Sequence, residues 1–269
     1  MTIRDENIET VHISEIGTIV IDTTMVSITS ALLNELVDNK VKVIFCDEKH
    51  LPKSELIPYY GSHNTSKRIV EQINWDDSIK KDIWTFIVKQ KINNQANMLL
   101  KQGLAESELL LSYVKDTKPG DITNREGFAA KVYFNALFGQ EFNRKEKDSL
   151  NIKLNYGYTL LLSCFSKEIV KNGYITQLGL GHKNEYNFYN FASDLTEPFR
   201  IIIDEIVYEE FDTFFDKDMK LKLLNVFNKQ IEIENKNYYL TNAIELFCKS
   251  IFLALNNKDL SLIKTYEFK

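Results

Sequence analysis

A change of periodicity near residue 60 constrains the fold of this chain more than any other feature of the sequence. Before it, short β-branched runs around Ile19–Ile21 and Val41–Phe45 are typical of strands. From Lys67 onward, apolar residues recur at spacings of three and four, which indicates helices. Between these parts, residues 51–66 hold two of the four prolines and several turn-forming residues, so the domain boundary is expected there.

The sequence therefore predicts an α+β protein with two domains. A small N-terminal β-rich domain spans residues 1–60, with Ser27 as the N-cap of an amphipathic helix that ends near Asn39. A larger all-α domain spans residues 61–269. Its helices are predicted at residues 76–101, 123–138 and 149–172, and around Met219–Phe227 and Asn242–Leu255.

Composition is that of a globular protein, because 44% of the 269 residues are apolar. No apolar run approaches the roughly 18 residues that cross a bilayer, and the charged N-terminus is unlike a signal peptide, so we expect a cytoplasmic protein without membrane contact. The net charge of −5 argues mildly against a nucleic-acid partner, although lysines can gather on one face. Three separated cysteines, Cys46, Cys164 and Cys248, are expected to be reduced core residues.

Four lysines form a basic stretch in the predicted helix 76–101, namely Lys80, Lys81, Lys89 and Lys91. Acidic residues lie at the start of this helix and lysines further along, an order that suits the helix dipole. A solvated face is therefore the favoured interpretation of these lysines, and contact with phosphate is the alternative.

The stretch from Gly179 to Arg200 concentrates residues that can carry chemistry. It sets His182, Asp194 and Glu197 among aromatic and apolar residues. A helix through the two acids would place both on one face, because they are three residues apart. Pro198 cannot donate to the carbonyl of Asp194, so the backbone there is expected to kink or to begin a new helix. The GLG sequence before the histidine is interpreted as a flexible turn.

Glu126 has two interpretations. With Thr123 it fits a capping box, T-x-x-E, in which the glutamate bonds back to the backbone of the cap. It also lies on the helical stripe of Ala129, Tyr133 and Leu137, which points it toward the domain interior, where a carboxylate needs a partner such as a metal ion. Spacing alone favours the cap.

Two or three carboxylates and one imidazole, without a cysteine cluster, form a ligand set typical of Mg²⁺ or Mn²⁺. Such an ion polarises a phosphodiester and activates a bound water or sugar hydroxyl for in-line attack. The sequence has no G-x-S-x-G, Walker A, H-E-x-x-H or G-x-G-x-x-G motif.

Several long motifs occur in the order found in one known family. The chain resembles the CRISPR-associated spacer-acquisition integrases and endonucleases, the first universal CRISPR-associated protein, in their type II (II-A-like) form. The resemblance covers nearly the whole chain and is carried by LVDNKVKVIFCDEKHLPKSELIPYYGSH, NREGFAAKVYFNALFG, LNYGYTLLLS and TQLGLGHKNEYNFYNFASDLTEPFR.

The resemblance implies that Glu126, His182 and Glu197 are catalytic and ligate the metal, and that Asp194, which matches a further acidic position of the family, is an additional metal ligand. It reverses the preference for a cap at Glu126. It also implies a helical catalytic domain that follows a β-rich dimerisation domain. The family inserts spacers by attack of protospacer 3′-hydroxyls on the CRISPR repeat, with Mg²⁺ or Mn²⁺ as cofactor.

Partners follow from the same resemblance: double-stranded DNA, a second copy of the chain, the small second CRISPR-associated adaptation protein and other type II adaptation proteins. Family members usually carry about another strand pair before the region with which this chain begins, so a shortened β domain and a weaker dimer are expected. DNA phosphates near the site are expected to meet basic residues, for which the candidates are Arg125, Lys131, Lys183 and Arg200.

Two other functions stay open at the level of sequence. The chain could be a non-catalytic DNA-binding assembly subunit, which would bind duplex without cleaving or joining it. It could also be a helical interaction protein whose acids are surface charges, which would bind no metal.

Overall fold

The computed structural model describes residues 1–4, 8–48, 50–59 and 64–269. It divides into two compact units, Met1–Gly61 and Ser62–Lys269. The predicted division after residue 60 lies one residue from the division in the structure. Residues 60–63 of the predicted connection lie outside the described part of the chain.

The first unit contains two small sheets and one helix. Antiparallel strands β1 and β2 form one sheet, and β3, β4 and β5 form the other, in which helix α1 connects the parallel pair β3–β4, and β5 runs antiparallel to β4. The elements are β1 Thr2–Arg4, β2 Ile8–Thr10, β3 Thr18–Ile21, α1 Ser30–Asp38, β4 Lys42–Cys46 and β5 Pro52–Glu55. The two β-branched runs of the sequence are β3 and β4, as predicted.

Helix α1 begins later than predicted. Its N-cap is Thr29, whose hydroxyl accepts a hydrogen bond from the Leu32 N–H at 3.2 Å, so the assignment of the cap to Ser27 was wrong. Both residues are good caps, but the helix that starts after Thr29 buries Leu36 with Val41 and Val43 in the core of this unit.

The second unit is mainly helical. Its helices are α2 Thr65–Ile73, α3 Asp77–Lys101, α4 Glu106–Asp116, α5 Arg125–Phe138, α6 Ser149–Lys171, α7 Asn190–Thr196, α8 Ile201–Glu209, α9 Lys217–Leu224 and α10 Leu240–Asn257. The three long helices predicted from periodicity correspond to α3, α5 and α6. None of the helices in the described part of the chain is long and apolar enough to span a bilayer.

The prediction that this unit is all-α was wrong, because it contains a β-hairpin. Strands β6 (Gln230–Ile233) and β7 (Lys236–Tyr239) pair antiparallel. The two-residue turn between them, Glu234 and Asn235, has positive φ angles of 52° and 62°, the turn whose twist matches a hairpin. Ile231 and Ile233 alternate with polar residues and are buried, a period of two that is too short to stand out among helices.

Helix α3 is the centre of the second unit. It contacts α4, α5, α7, α8 and α10, and it buries residues on all sides, including Ile83, Ile87, Val88 and Met98. Because partners surround it, α3 has no single apolar face. This explains how a residue of α3 can reach the interior from a part of the helix that looks polar in the sequence.

The C-terminal segment packs against α3. Tyr266 and Phe268 are buried, and the side-chain amides of Gln90 and Asn97 donate to their backbone carbonyls at 3.1 and 2.8 Å. Asn94 accepts the backbone N–H of Phe268 at 3.1 Å. The segment is thus held by three buried or half-buried amides of one helix.

The three cysteines are buried thiols, Cys46 in the first unit and Cys164 and Cys248 in the second. The expectation that they are core residues is confirmed. Burial raises the pKa of the Cys248 thiol well above its ordinary value, so this thiol is a poor nucleophile.

Candidate active site

The second unit brings the main sequence candidates together around one lysine of α3. Lys91 Nζ lies 2.6 Å from Glu126 Oε1, in the first turn of α5, and 2.6 Å from Glu197 Oε2, directly after α7. His182 lies in the loop between α6 and α7, close enough for both glutamates to affect the pKa of its ring. Three segments far apart in sequence thus supply one polar cluster.

Glu126 is not part of a capping box. The N-cap of α5 is Asn124, in a left-handed conformation with φ 52°, and the carboxylate of Asp121 accepts the backbone N–H groups of Arg125 and Glu126 at 2.8 and 3.0 Å. Asp121 therefore caps the start of α5, a role that the sequence assigned to Thr123 and Glu126, and the capping-box interpretation was wrong. The Glu126 side chain is left to bond with Lys91.

Glu197 is held between two cations. Its side chain is only 2% exposed, with Arg200 Nη2 at 3.0 Å from Oε1 and Lys91 Nζ near Oε2. Helix α7 ends at Thr196, and Glu197–Phe199 form a 3₁₀ turn around Pro198, which confirms the predicted break in the helix. Burial opposes ionisation of Glu197, but the charges of Arg200 and Lys91 outweigh it and hold the pKa of this carboxyl below its ordinary value.

His182 is oriented by Asp194. The ring Nδ1 lies 2.6 Å from Asp194 Oδ1, which leaves Nε2 as the ring nitrogen that can bind a metal ion. The hydrogen bond with Asp194 raises the pKa of His182; burial works against this shift, while Asp194, Glu197 and Glu126 add to it through their charge.

Asp194 itself is fully buried and its oxygens are occupied. It accepts backbone N–H groups from Gly181 at 3.1 Å and His182 at 2.9 Å, and a third from Leu180. Burial raises the pKa of Asp194, while His182 and these N–H groups offset part of the rise. The sequence offered Asp194 as a less certain ligand, but the structure places it behind His182, as a support for the ring and its loop.

The glycines before His182 are tightly packed, so the interpretation of GLG as a flexible turn was wrong. A Cβ added at Gly181 would lie 2.2 Å from Trp84 Cε2, and one at Gly179 would lie 2.4 Å from the carbonyl oxygen of His182. The Trp84 and His182 rings meet edge to face with centroids 5.5 Å apart. The loop therefore fits against α3 only because Gly181 has no side chain, and it fits against its own backbone and Asp194 only because Gly179 has none.

Lys91 is the functional residue that sequence reasoning missed. It was grouped with a solvated face, but its side chain is only 11% exposed. It lies on a buried stripe of α3 that is spaced by three and four residues: Trp84, Ile87, Lys91, Gln95 and Met98. The position of a lysine on such a stripe was the signal in the sequence that could have identified Lys91 as part of the site, because a buried ammonium needs carboxylates around it.

The donor types around Lys91 suit a hard divalent ion, but the ammonium occupies the space between the two glutamates. Across the described part of the chain, no three His, Cys, Asp or Glu side chains form a group arranged to hold a metal ion. Glu197 Oε2 is buried and receives no hydrogen bond of good geometry from the described residues, although Lys91 Nζ is close. Glu126, His182 and Glu197 thus supply donor types that Mg²⁺ and Mn²⁺ accept, without forming the group that would hold the ion.

A second polar group lies beside the site. Buried Asp204 accepts hydrogen bonds from Tyr133 at 3.0 Å and from Tyr158, and burial raises its pKa to about 6. The guanidinium groups of Arg144 and Arg200 lie 5.4 and 5.0 Å from the centroid of the Tyr158 ring. The adjoining cavity, of about 40 Å³, has room for a few water molecules but not for a nucleotide.

The four basic candidates for DNA contact differ in their surroundings. Lys131 and Lys183 are exposed. Arg125 lies over the Tyr113 ring at 5.2 Å and 3.8 Å from Asp116, and Arg200 bonds to Glu197. Arg125 and Lys183 directly adjoin Glu126 and His182 in the sequence, and Arg200 lies three residues after Glu197.

The fold and the site define a class of protein: a two-unit chain with a helical unit that carries a glutamate- and histidine-based centre. Two solved structures share this fold. A casposase bound to integration product matches with a TM-score of 0.75 and 21% identity, over 90% of this chain and 79% of that chain. A Cas6-RT-Cas1–Cas2 complex matches with a TM-score of 0.70 and 20% identity, over 91% of this chain and 31% of that one.

Sequence comparison is more specific. The family model for CRISPR associated protein Cas1 matches residues 1–214. The CRISPR-associated endonuclease Cas1 of Neisseria meningitidis serogroup C (strain 8013) is 32% identical over 265 residues, 96% of this chain and 87% of the relative. This chain belongs to the Cas1 family.

Proposed function

We propose that this chain is a divalent-metal-dependent DNA endonuclease and integrase that inserts new spacers into a CRISPR array. The observation that carries the proposal is that Lys91 brings Glu126 and Glu197 together, while the Asp194-oriented His182 lies close enough for the charges of both to raise its pKa. The names of its relatives, an endonuclease and a casposase bound to integration product, support the same chemistry.

Mg²⁺ or Mn²⁺ would be held by Glu126, His182 and Glu197, and it would supply polarisation of the scissile phosphate and activation of the attacking 3′-hydroxyl or water. Asp194 keeps the His182 ring in position. Arg200 and Lys91 bring positive charge to the place where the phosphate must bind. Lys131, Lys183 and Arg125 are proposed to contact the DNA backbone further out.

The proposed partners are double-stranded DNA as protospacer and repeat, a second copy of the chain and a Cas2 protein in the cytoplasm. A Cas1–Cas2 complex among the structures with this fold supports the last of these. Membership of the type II branch, with its other adaptation proteins, is part of the proposal and rests on the resemblance of the sequence motifs. The first unit, Met1–Gly61, is proposed to form the dimer.

The test is a strand-transfer assay with the small partner, a short 3′-hydroxyl duplex and a supercoiled plasmid that carries leader and repeat, in Mg²⁺, Mn²⁺ or EDTA. Glu126→Gln, His182→Ala and Glu197→Gln are each expected to lower joining by at least about a hundredfold, because each removes a ligand. Glu185→Gln, an exposed acid on the same loop as His182, is the matched control and should keep wild-type activity. Joining that survives in EDTA, or in all three variants, contradicts the proposal.

A non-catalytic DNA-binding subunit is the second candidate, and one observation favours it: Lys91 already lies between the two glutamates, where the ion would bind. Such a protein would bind the duplex equally well in EDTA and in Mn²⁺ and would join nothing. Metal-dependent joining by the wild type rules it out.

A further inference from the structure

We propose that the Lys91 ammonium competes with the divalent ion for Glu126 and Glu197, and that bound DNA shifts this competition in favour of the ion. The inference rests on the proposed function and concerns how that site is loaded. Its basis is the position of Lys91 Nζ, 2.6 Å from an oxygen of each glutamate, on a side chain that is 11% exposed.

Charge balance makes the two cations alternatives. Glu126, Glu197 and Asp194 carry three negative charges, and Lys91 and Arg200 supply two positive charges against them. A divalent ion added to this group would leave a surplus of one positive charge in a largely buried place, where such a surplus is costly. The ion can therefore bind the carboxylates well only if the ammonium leaves them.

The surroundings of Lys91 allow that withdrawal. Lysine has a long flexible stem, and Lys91 lines the small cavity beside Arg200, Tyr158 and Asp204, which is not filled by side chains. The Lys91 ammonium is held at Glu197 Oε2 by the attraction of opposite charges, which a divalent ion at the same oxygen would replace.

DNA should shift the balance toward the ion. A phosphate bound at the site brings negative charge, which compensates the displaced ammonium, so ion and phosphate should each strengthen binding of the other. Such coupling is reciprocal: the factor by which duplex raises Mn²⁺ affinity equals the factor by which Mn²⁺ raises duplex affinity.

The experiment measures Mn²⁺ binding to the full chain from the EPR signal of the free ion. Without DNA, Lys91→Met is expected to bind Mn²⁺ about tenfold more tightly than the wild type, because the competing cation is gone. Lys89→Met removes the same charge two residues away on α3, outside the contacts with the glutamates, and is expected to match the wild type. The double variant Lys91→Met/Glu126→Gln should lose the gain.

The coupling is measured by repeating the titration with a short duplex. Duplex should tighten Mn²⁺ binding about tenfold in the wild type and much less in Lys91→Met. Equal or weaker Mn²⁺ binding by a folded Lys91→Met, or an unchanged effect of duplex, overturns the inference.

Lys91→Met leaves two glutamates with one cation, so its folding must be checked. Its midpoint of thermal unfolding should fall without metal and rise more on addition of Mn²⁺ than that of the wild type. Lys91→Arg keeps a cation in place and should bind Mn²⁺ no more tightly than the wild type, so tighter binding there also overturns the inference. If the wild type and Glu126→Gln bind Mn²⁺ equally, the proposed function fails instead.

Discussion

Asp194 is the residue on which the position of His182 depends. Its carboxylate accepts three backbone N–H groups of the loop as well as the ring nitrogen, and no part of it is exposed. An asparagine can accept on one side only, and its amino group would face N–H donors that need an acceptor.

We therefore predict that Asp194→Asn weakens Mn²⁺ binding by about 10- to 100-fold, the usual effect of losing a residue that orients a ligand. It should also destabilise the fold by about 2 kcal/mol, because buried N–H groups lose their acceptor. Mn²⁺ titration and urea unfolding measure the two effects, with Glu185→Gln as the control. Wild-type metal affinity in Asp194→Asn would show that the ring is held by other contacts.

Asp204 makes folding stability depend on pH. Burial raises its pKa from 3.8 to about 6, so between these values the folded state binds more protons than the unfolded state. The contribution of Asp204 to stability is therefore fully present below about pH 4 and is lost as pH rises through about 6.

Asp204→Asn removes this titration and can keep bonds with Tyr133 and Tyr158. The variant is expected to gain stability relative to the wild type as pH rises from 4 to 7, by on the order of 3 kcal/mol. Denaturant unfolding across that range measures the difference. Glu209→Gln, an exposed acid on the same helix α8, is the control, and a difference that stays flat with pH contradicts the assignment.

At this scale the sequence predicted the residue types of the site better than their roles. His182 and Glu197 became candidates because they share a short stretch, whereas Glu126 became one only when the family resemblance reversed the preference for a cap. Asp121 as the cap of α5 was missed, because several residues near the start of a helix can cap it and only the backbone decides between them. Lys91 was missed because its charge suggested a solvated face, whereas its three- and four-residue spacing places it on a buried stripe of α3.

The loop of His182 and helix α3 fit together at the scale of elements. Gly181 lies against the face of Trp84, and the fit places the histidine near the lysine-bearing part of α3. The position of His182 therefore depends on the absence of a side chain at Gly181 as much as on the residues that contact the loop.

Gly181→Ala is expected to displace the loop and to lower both Mn²⁺ affinity and joining by at least about tenfold, since its Cβ would overlap the indole ring. The control is Gly17→Ala, where an added Cβ meets nothing within 4 Å. A Gly181→Ala protein with wild-type metal affinity would mean that Trp84 moves aside easily. Thermal unfolding separates this local effect from general loss of the fold.

Elements with many repeats of one period were predictable, whereas short ones were not. Helices α3, α5 and α6 repeat their apolar spacing over nearly four turns or more, and their ends fall within two residues of the prediction. The β6–β7 hairpin has only two buried alternating residues in a strand, too few to compete with the helical pattern around it.

At the scale of the whole molecule, the cluster around Lys91 belongs to one unit. Glu126, His182, Glu197 and the residues that support them lie within Ser62–Lys269, and the core of that unit is large enough for independent folding.

We predict that Ser62–Lys269 expressed alone is helical, unfolds cooperatively and binds Mn²⁺ about as tightly as the full chain. Circular dichroism and Mn²⁺ titration test this, with the same fragment carrying Glu126→Gln as the control for specific binding. A fragment that folds but binds no Mn²⁺ would show that the site needs the first unit. Strand transfer by the fragment should be lost, because the first unit is proposed to form the dimer.

The last six residues, KTYEFK, look expendable to anyone planning a tag, a fluorescent label or a trimmed version for crystals. Their backbone is instead bound by Gln90, Asn94 and Asn97, which lie on either side of Lys91 on the same helix. Removing these residues would take away hydrogen bonds to helix α3, which carries Lys91. Purification tags are better placed elsewhere, and an unexpectedly inactive preparation should be checked first for proteolysis of residues 264–269.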